Sequence, residues 1–584
     1  MKLTNIMKNF LFGLYSSLKR FPVTIGLSMA VATLLIIISE VQESSGYDST
    51  TILNRIALVL ALGIPLSLCI KLIFEKNEKI NSISKALVWI LGAASLILYY
   101  FFLIPDLKIV SGTRYIAISI ALYLIFVILP YFYAGENLEL YVIKLLTRFF
   151  ITALYSAVLY LGMAAILFTI NKLLSVYMPG KMYYYVWLII AGVFIPSFFL
   201  AGIPTCRQQL DSADYPKLLR ILLLYIVMPL ITVYTAILYI YFAKIIITLK
   251  WPEGLVSNLT LWYSVISAGV IFLVSPLSSV NKWVKTFILW FVKLVLPILV
   301  IMFISIGMRI QQYGVTENRY FVVLLGLWVS GIMIYLNIAK SRRNIILPLS
   351  LAIIAVLSVC GPWSAYSISK YSQNKRFENI VTKNDMVKNN VIVKAPREVS
   401  NVDKAEISSI LSYFSDKHSL NDVKYLPKDL TLDRMENIFG FTYQQPRYPD
   451  NNNGYFSYNA KMPDRPVDIR GYDYLFNFGN YQQQMSIKET SLEVKYSFKD
   501  KKLQVLFDGN EIYSGTLEKY IKQLHDKYPT GNTAEISNED MTFTDGNEKV
   551  KLKYVISNIY GSQDKAMDKI KIDGVSFYVL IKVM

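Results

Sequence analysis

The polar segment 309–320 (RIQQYGVTENRY) contains the residues whose types and spacing best suit ligand binding, and it lies between two long apolar runs. Arg309 and Arg319 each carry a planar guanidinium group, which can hold a phosphate or carboxylate through two parallel hydrogen bonds. Glu317 and Asn318 add a carboxylate and an amide beside them. The segment therefore predicts a site for an anionic small molecule or a lipid headgroup at these four residues.

A structural role is the alternative for the same segment. Gly314 permits a tight turn between two helices, and Glu317 would then pair with one of the arginines to hold that turn. Tyr313 and Tyr320 would lie in the membrane interface, where aromatic side chains are enriched.

Lys293 is a charged residue deep within a predicted membrane span, roughly eight residues or about 12 Å from the start of that span. Charged groups at such depth are costly and often mark a pathway or a binding site. Lys293 is therefore either a lysine whose side chain reaches toward the interface or one that lines a cavity. We include it among the candidate ligand-binding residues.

Residues that could support catalysis are few. Histidine occurs only at His418 and His525, and the run Ser415–His418 (SDKH) places triad residue types within one helix end, whereas a triad needs them to converge from separate elements. The sequence has no HExxH, Walker A, G-x-S-x-G or dinucleotide-binding motif and no Cys/His zinc pattern. We expect a solvated helix end at His418, no metal or cofactor, and a function without catalysis.

The elements that would position these residues are apolar helices. Of the 584 residues 54% are hydrophobic and only 17% are charged, whereas soluble proteins carry about 25% charged residues. The net charge of +18 is concentrated in residues 1–365, which hold 28 Lys and Arg against 12 Asp and Glu. Basic residues beside membrane spans set their orientation. The charge therefore indicates a lipid bilayer, and no nucleic acid, as the partner.

Runs of about 20 apolar residues predict about eleven transmembrane helices. The predicted spans are 21–39, 54–74, 84–104, 114–134, 149–173, 183–203, 218–246, 259–278, 285–307, 320–339 and 345–362. An amphipathic interfacial segment is predicted at residues 1–20. The expected architecture over residues 21–365 is an α-helical polytopic membrane bundle.

The loops between these spans predict an orientation. Lys and Arg number 18 on one set of alternate loops and 9 on the other. Because basic loops remain in the cytoplasm, the count predicts a cytoplasmic N-terminus in a bacterial cytoplasmic membrane. An odd number of spans then places the C-terminal residues outside, and merging two spans into one would reverse this.

Residues 366–584 have the composition of a soluble domain, with 31 Lys and Arg against 29 Asp and Glu. We predict an extracytoplasmic α+β domain there, with an envelope protein as its partner. The spacing of apolar residues predicts helices at Lys404–Ser415 and about Thr516–Tyr528, and alternation predicts a hairpin over 492–507. The pairs Asp508-Gly509, Asp545-Gly546 and Asp573-Gly574 predict turns between strands.

Three motifs in order resemble a known family. These are WPEGLVS (Trp251–Ser257), RIQQYGVTENRY and GPWSAYSISKYSQ (Gly361–Gln373), and they resemble bacterial integral-membrane proteins catalogued as domain of unknown function 4153. The resemblance is clearest over about residues 220–385, and KAEISSILSYFSDKHSL (Lys404–Leu420) is similar to the stretch that follows in such proteins. It implies a multi-pass membrane protein without an assigned activity and supplies no catalytic or binding residue.

These observations favour transport or sensing of a small or lipidic ligand in the cell envelope. One alternative is a membrane glycosyltransferase that uses a lipid-linked donor, with Glu40, Glu43 or Asp48 of the first outer loop as a metal ligand or base. That loop is short for holding both a donor and an acceptor. The other alternative is a structural membrane assembly factor without a ligand.

Overall fold

The computed structural model describes residues 15–45, 50–77, 80–131, 138–174, 178–205, 215–248, 255–339, 343–428, 430–443, 453–461, 466–478, 484–487, 490–497, 501–528, 534–564 and 569–584. The chain divides into a membrane unit, Met1–Asp403 with Ile410–Tyr443, and a C-terminal unit, Lys404–Ser409 with Gln444–Met584. The membrane unit thus extends past the change in composition at residue 365. Of the predicted interfacial segment 1–20, residues 1–14 lie outside the described residues, and residues 15–20 are helical.

Ten helical segments among the described residues are long and apolar enough to cross a membrane. They are α1 (Pro22–Ser45), α2 (Thr51–Lys76), α3 (Ser82–Phe102), α4 (Ile109–Ile128), α5 (Leu138–Leu173), α6 (Lys181–Ile189) with α7 (Ile195–Ala201), α8 (Lys217–Ile221) with α9 (Met228–Thr248), α10 (Leu255–Val274), α11 (Lys282–Tyr313) and α12 (Glu317–Ile338). The predicted α-helical membrane bundle is therefore confirmed.

An eleventh, shorter segment runs beside α12. Helix α13 (Ile346–Leu357) has 12 residues, fewer than a membrane span needs. Three hydrogen bonds nevertheless join residues 343–363 to α12. Near the end of α12, Arg343 N donates to Tyr335 Oη at 2.8 Å, and in the middle Trp328 Nε1 donates to Ser350 Oγ at 2.9 Å. Near the start of α12, Tyr320 Oη donates to the Trp363 carbonyl at 2.8 Å. Residues 343–363 thus run antiparallel along the whole of α12.

In two of the long helical segments, a π-helical turn precedes a proline. A π-helical stretch at Ile190–Phe194 precedes Pro196, and another at Leu222–Val227 precedes Pro229. A proline inside a helix donates no hydrogen bond and crowds the carbonyl one turn before it. The wider π turn relieves that crowding, so each segment continues across the proline instead of ending there.

One face of helix α11 forms part of the hydrophobic core of the membrane unit. Its residues Val284, Val295, Ile298 and Met302 are fully buried and belong to the largest hydrophobic cluster. They recur at helical spacing, so the opposite face of the helix is left exposed to lipid. Lys293 lies on that exposed face, with Nζ 5.7 Å from the ring centroid of Trp290.

The polar part of the membrane unit follows α13. It contains α14 (Ala365–Lys383), the short strand pair β1 (Val387–Lys388) and β2 (Val391–Ile392), α15 (Asn401–Lys417) and α16 (Met435–Phe439). Ser400 caps α15 by accepting a hydrogen bond from the backbone N–H of Asp403 at 3.1 Å. The predicted helix at Lys404–Ser415 is confirmed within α15.

The C-terminal unit is an α+β structure built from two sheets and one helix, as predicted. Strands β5 (Gln484–Ile487), β6 (Leu492–Ser497), β7 (Lys502–Phe507) and β8 (Asn510–Thr516) form an antiparallel meander, in which β6–β7 is the predicted hairpin. The second sheet has the order β4-β12-β11-β3-β9, and β10 also pairs with β11. Its strands are β3 (Asn453–Ala460), β4 (Tyr474–Phe478), β9 (Ala534–Ile536), β10 (Thr542–Gly546), β11 (Val550–Asp564) and β12 (Lys569–Val583), and α17 (Glu518–Lys527) follows β8.

Aromatic side chains join the two sheets into one core. Phe478 stacks on Phe577 at 5.4 Å, and Tyr496 of the other sheet meets Phe577 edge to face at 5.1 Å. All three side chains are buried. Such aromatic pairs supply much of the apolar area that a domain of this size needs to bury without disulfides.

The turn predicted at Asp573-Gly574 is wrong, because these residues lie inside β12. Gly574 pairs with Tyr560 of β11, and the register shifts directly beside this pair. A Cβ atom at Gly574 would lie 2.3 Å from Tyr560 Cζ, so the glycine makes room for the tyrosine ring. The turn predicted at Asp508-Gly509 does separate β7 from β8.

Candidate functional site

The candidate site is built on the turn between α11 and α12. Helix α11 ends at Tyr313, Gly314 adopts a φ of +68°, and α12 begins at Glu317. This conformation is one that glycine adopts without strain, and it reverses the chain within three residues. Arg309, four residues before the end of α11, and Arg319, in the first turn of α12, are thereby brought to the same end of the unit.

Three side chains donate hydrogen bonds to the backbone carbonyls of this turn. Arg319 Nη1 lies 2.7 Å from the Gly314 carbonyl and 3.2 Å from that of Tyr313. From α14, Arg376 Nη1 lies 2.8 Å from the Tyr313 carbonyl, and Gln373 Nε2 lies 3.0 Å from the same oxygen. Carbonyls at the end of a helix carry partial negative charge, so they attract donors and cations.

The positive charges at this turn are close together. Both Arg309 and Arg376 act electrostatically on Arg319. No hydrogen bond or ion pair joins Arg309 to another described residue, and Arg319 donates only to carbonyls. We call Arg309, Arg319 and Arg376, with Gln373, the arginine cluster. Because no carboxylate among the described residues pairs with Arg309 or Arg319, the cluster can bind an added anion.

Glu317 has other partners than the arginine proposed for it. His418 Nε2 lies 2.6 Å from Glu317 Oε1, and the Tyr413 hydroxyl donates to the same oxygen at 2.7 Å. The hydroxyl of Tyr413 and Nε2 of His418 are themselves 2.9 Å apart. We call these three residues the Glu317 cluster. The structural alternative in which Glu317 pairs with an arginine is therefore wrong.

The Glu317 cluster is shielded from solvent. The side chain of His418 is 1% exposed and that of Glu317 is 16% exposed. The solvated helix end expected at His418 is thus also wrong. Burial, and then the hydrogen bond to Glu317, raise the pKa of Tyr413, so this hydroxyl remains a donor at neutral pH.

Helix α14 lies against both clusters along one face. Tyr366 meets the His418 ring edge to face at 6.4 Å, and it lies under the guanidinium of Arg114 at 5.5 Å. Gln373 and Arg376 follow two and three turns later and belong to the arginine cluster. Residues 366, 373 and 376 share one side of a helix because seven and ten residues are close to two and three full turns.

The other candidate residues lie elsewhere or make no polar contact. Asn318 is exposed in the first turn of α12. Lys293 lies 16 residues before Arg309, about 24 Å along α11, so the structure does not bring it to the arginine cluster.

Glu40 of the glycosyltransferase alternative binds Lys181 at 3.1 Å and also Tyr185. The side chain of Glu43 and all of Asp48 lie outside the described residues. Over the described part of the chain, no group of three His, Cys, Asp or Glu residues could hold a metal ion.

Sequence reasoning missed Tyr413, Gln373 and Arg376 as members of the site. Gln373 closes the motif GPWSAYSISKYSQ, and Tyr413 lies in KAEISSILSYFSDKHSL. Both motifs were noted only for their resemblance to a family. Both segments belong, with RIQQYGVTENRY, to the same family resemblance, and that was the available signal that they could meet.

Comparison with known proteins agrees with this architecture. An uncharacterised protein of Pasteurella multocida, PM1469, is 24% identical over 388 residues, which cover 65% of this chain and 62% of that protein. No solved structure matches the chain at a significant level. The family model described as "Domain of unknown function (DUF4153)" matches residues 26–388, which include α14 and the turn that holds the arginine cluster. The chain belongs to this family.

Proposed function

We propose that the membrane unit binds an anionic group at the arginine cluster and serves transport or sensing in the cell envelope without catalysing a reaction. The single observation that carries the proposal is the arrangement of three guanidinium groups around one helix end, where Arg309 has no partner among the described residues. Guanidinium groups hold phosphate and carboxylate oxygens through paired hydrogen bonds. The anionic group is a phosphate or carboxylate of a lipid or of a small solute.

The surroundings of the cluster favour a ligand at the edge of the bilayer. Arg309 lies four residues before the end of one membrane-crossing helix and Arg319 lies in the first turn of the next, so both are near the end of the apolar region. The Tyr320 side chain, which is only partly buried, lies beside them and is typical of the membrane interface. A lipid headgroup or a solute that approaches the bilayer surface would meet the cluster there.

The same proposal includes an orientation of the chain in the membrane. The 18 Lys and Arg on one set of loops against 9 on the other support a cytoplasmic N-terminus in a bacterial cytoplasmic membrane. With eleven passes, the turn at Gly314 and the C-terminal unit are then extracytoplasmic. The ligand would reach the arginine cluster from the outer side of the membrane.

The test is ligand binding by the purified full-length protein. Nanodiscs of neutral lipid alone, of neutral lipid with phosphatidylglycerol, and of neutral lipid with added inorganic sulfate separate a lipid source from a soluble one. We expect stabilisation against thermal unfolding in one or both anionic conditions, because a ligand that binds only the folded state stabilises it.

Two variants show whether the arginine cluster is responsible. Arg309→Gln should abolish most of the stabilisation while leaving the melting temperature without ligand nearly unchanged, because Arg309 forms no hydrogen bond within the described residues. Arg343→Gln is the matched control, since Arg343 is an exposed arginine near the opposite end of α12. Equal stabilisation of the Arg309 variant and the wild type would remove the cluster as a binding site.

A further inference from the structure

We propose that the Glu317 cluster is a proton-binding site and that the membrane unit takes up its anion together with a proton. This inference rests on the proposed function, because it describes how anion binding at the arginine cluster is regulated. It assigns to Glu317, Tyr413 and His418 a role that differs from ligand contact.

The geometry of the cluster allows a proton to be held between two groups. His418 Nε2 and the Tyr413 hydroxyl both lie within 2.7 Å of Glu317 Oε1. Tyr413 donates its own hydrogen, and Nε2 donates a second one to the same oxygen. With a neutral imidazole and an ionised carboxylate the cluster has a charge of −1. One added proton, on Nδ1 of His418, brings that charge to zero, and no other atom needs to enter or leave.

The groups around the cluster do not neutralise it in another way. Its neighbours from the packed elements are Tyr413 on α15, Tyr366 on α14, and Arg114 on α4, whose guanidinium lies over the Tyr366 ring. Tyr413 and Tyr366 both stay protonated at neutral pH, because burial raises the pKa of each. The cations on the neighbouring elements are Arg114, which lies over the Tyr366 ring, and Arg319, which lies two residues from Glu317 in the first turn of α12. Histidine is the side chain that ordinarily changes charge between about pH 5 and 8, and His418 is the histidine of this cluster.

Two physical connections join the proton site to the arginine cluster. Glu317 and Arg319 lie two residues apart in the first turn of α12, and α14 contacts both clusters through Tyr366 and Gln373. An anion bound at the arginines adds a negative charge near Glu317, which favours the protonated state of the Glu317 cluster. For unit charges about 10 Å apart near a protein surface this coupling is on the order of tenfold in affinity. By linkage, the proton favours anion binding by the same factor.

The test measures protons and anion together in the full-length protein. The probes are inorganic sulfate and nanodiscs that contain phosphatidylglycerol, because neither anion titrates near the ordinary pKa of histidine, about 6.5. A pH indicator in weakly buffered solution near that pH reports proton uptake while binding is followed by thermal stabilisation. We expect the wild type to take up protons on binding, and the affinity to fall by about tenfold in total as the pH rises through the titration of the Glu317 cluster.

Variants locate the proton. His418→Gln and Glu317→Gln should bind the anion without proton uptake and with an affinity that no longer depends on pH. His525→Gln, which changes the second histidine of the chain, is the matched control and should behave as the wild type. The wild-type measurement does not depend on whether any variant folds.

The outcomes separate this inference from the function on which it rests. Anion binding without proton uptake in the wild type, or uptake that persists in both His418→Gln and Glu317→Gln, overturns the proton site and leaves the anion site in place. Absence of any anion binding by the wild type overturns the proposed function and this inference with it.

Discussion

Replacement of Gly314 by alanine tests whether the turn between α11 and α12 positions the arginine cluster. Gly314 has φ +68° and ψ 179°, a region that only glycine occupies at low cost. An alanine there costs about 1–3 kcal/mol in backbone strain. Its Cβ would also lie 2.6 Å from Arg376 Cδ, 3.0 Å from Gln373 Nε2 and 3.1 Å from Ser372 Oγ.

The contact with Arg376 has its own cost, because that distance is far inside van der Waals contact. Forcing an extra methyl group into a packed site costs about 1–3 kcal/mol. The two effects together predict a loss of about 2–6 kcal/mol in the free energy of unfolding, less whatever relaxation of the arginine side chain recovers. Arg376 must also leave the Tyr313 carbonyl, so anion binding should weaken.

The assay is reversible unfolding of the purified protein in mixed micelles, followed by tryptophan fluorescence. Gly307→Ala is the matched control, since Gly307 lies in α11 two turns earlier and a Cβ there would meet no atom within 4 Å. Alanine in a helix should leave stability unchanged or raise it by up to about 1 kcal/mol. A Gly314→Ala protein whose stability lies within about 0.5 kcal/mol of the wild type, with anion binding intact, would refute this account of the turn.

Three further predictions concern topology, packing and pH. Alkaline phosphatase fused after Ser400 should be active in a Gram-negative host and inactive after Lys79; the reverse pattern would contradict a cytoplasmic N-terminus. Arg20 binds Glu75 through two hydrogen bonds of 2.8 Å and donates to the carbonyls of residues 203 and 204. Arg20→Lys should therefore lower the free energy of unfolding by about 1.5–3 kcal/mol. An unchanged denaturation midpoint would show that the lysine replaces these contacts. Burial alone would raise the pKa of Asp545, but hydrogen bonds from one lysine and two tyrosines lower it to about 2, and the unfolded value is about 3.9. The stability that Asp545 contributes is therefore complete above about pH 4 and is lost as the pH falls toward 2, so an Asp545→Asn variant should lose less stability than the wild type over that range in acid-unfolding curves followed by circular dichroism.

The sequence by itself was sufficient for the architecture of both units. Spans of about 20 apolar residues predict membrane helices because an unpaired backbone cannot enter the bilayer, and all ten long helices lie where such runs occur. Alternating apolar residues likewise predicted the β6–β7 hairpin, because one face of each strand must be buried. Local patterns of this kind depend only on neighbouring residues.

The place of the short helix α13 could not be established from the sequence pattern alone. Helix α13 has 12 residues, and its length does not distinguish a membrane pass from a buried segment. Its place beside α12 follows from hydrogen bonds that join residues far apart in sequence, such as the one from Trp328 to Ser350. The span count on which the topology depends therefore rests on tertiary contacts.

The residues of the candidate site likewise divide into those that a short sequence segment identified and those that only the folded structure places beside them. Arg309, Glu317 and Arg319 could be selected from the sequence, because charged residues beside an apolar run are conspicuous in one short segment. Their partners could not, because His418 is 101 residues from Glu317 and Arg376 is 63 residues from Tyr313. Electrostatic and hydrogen-bond energies depend on distances of a few ångströms, and only the packing of α14 and α15 against the turn determines those distances. Tertiary structure therefore decided that Glu317 binds a buried histidine and that Arg319 and Arg376 donate to the carbonyls of the turn.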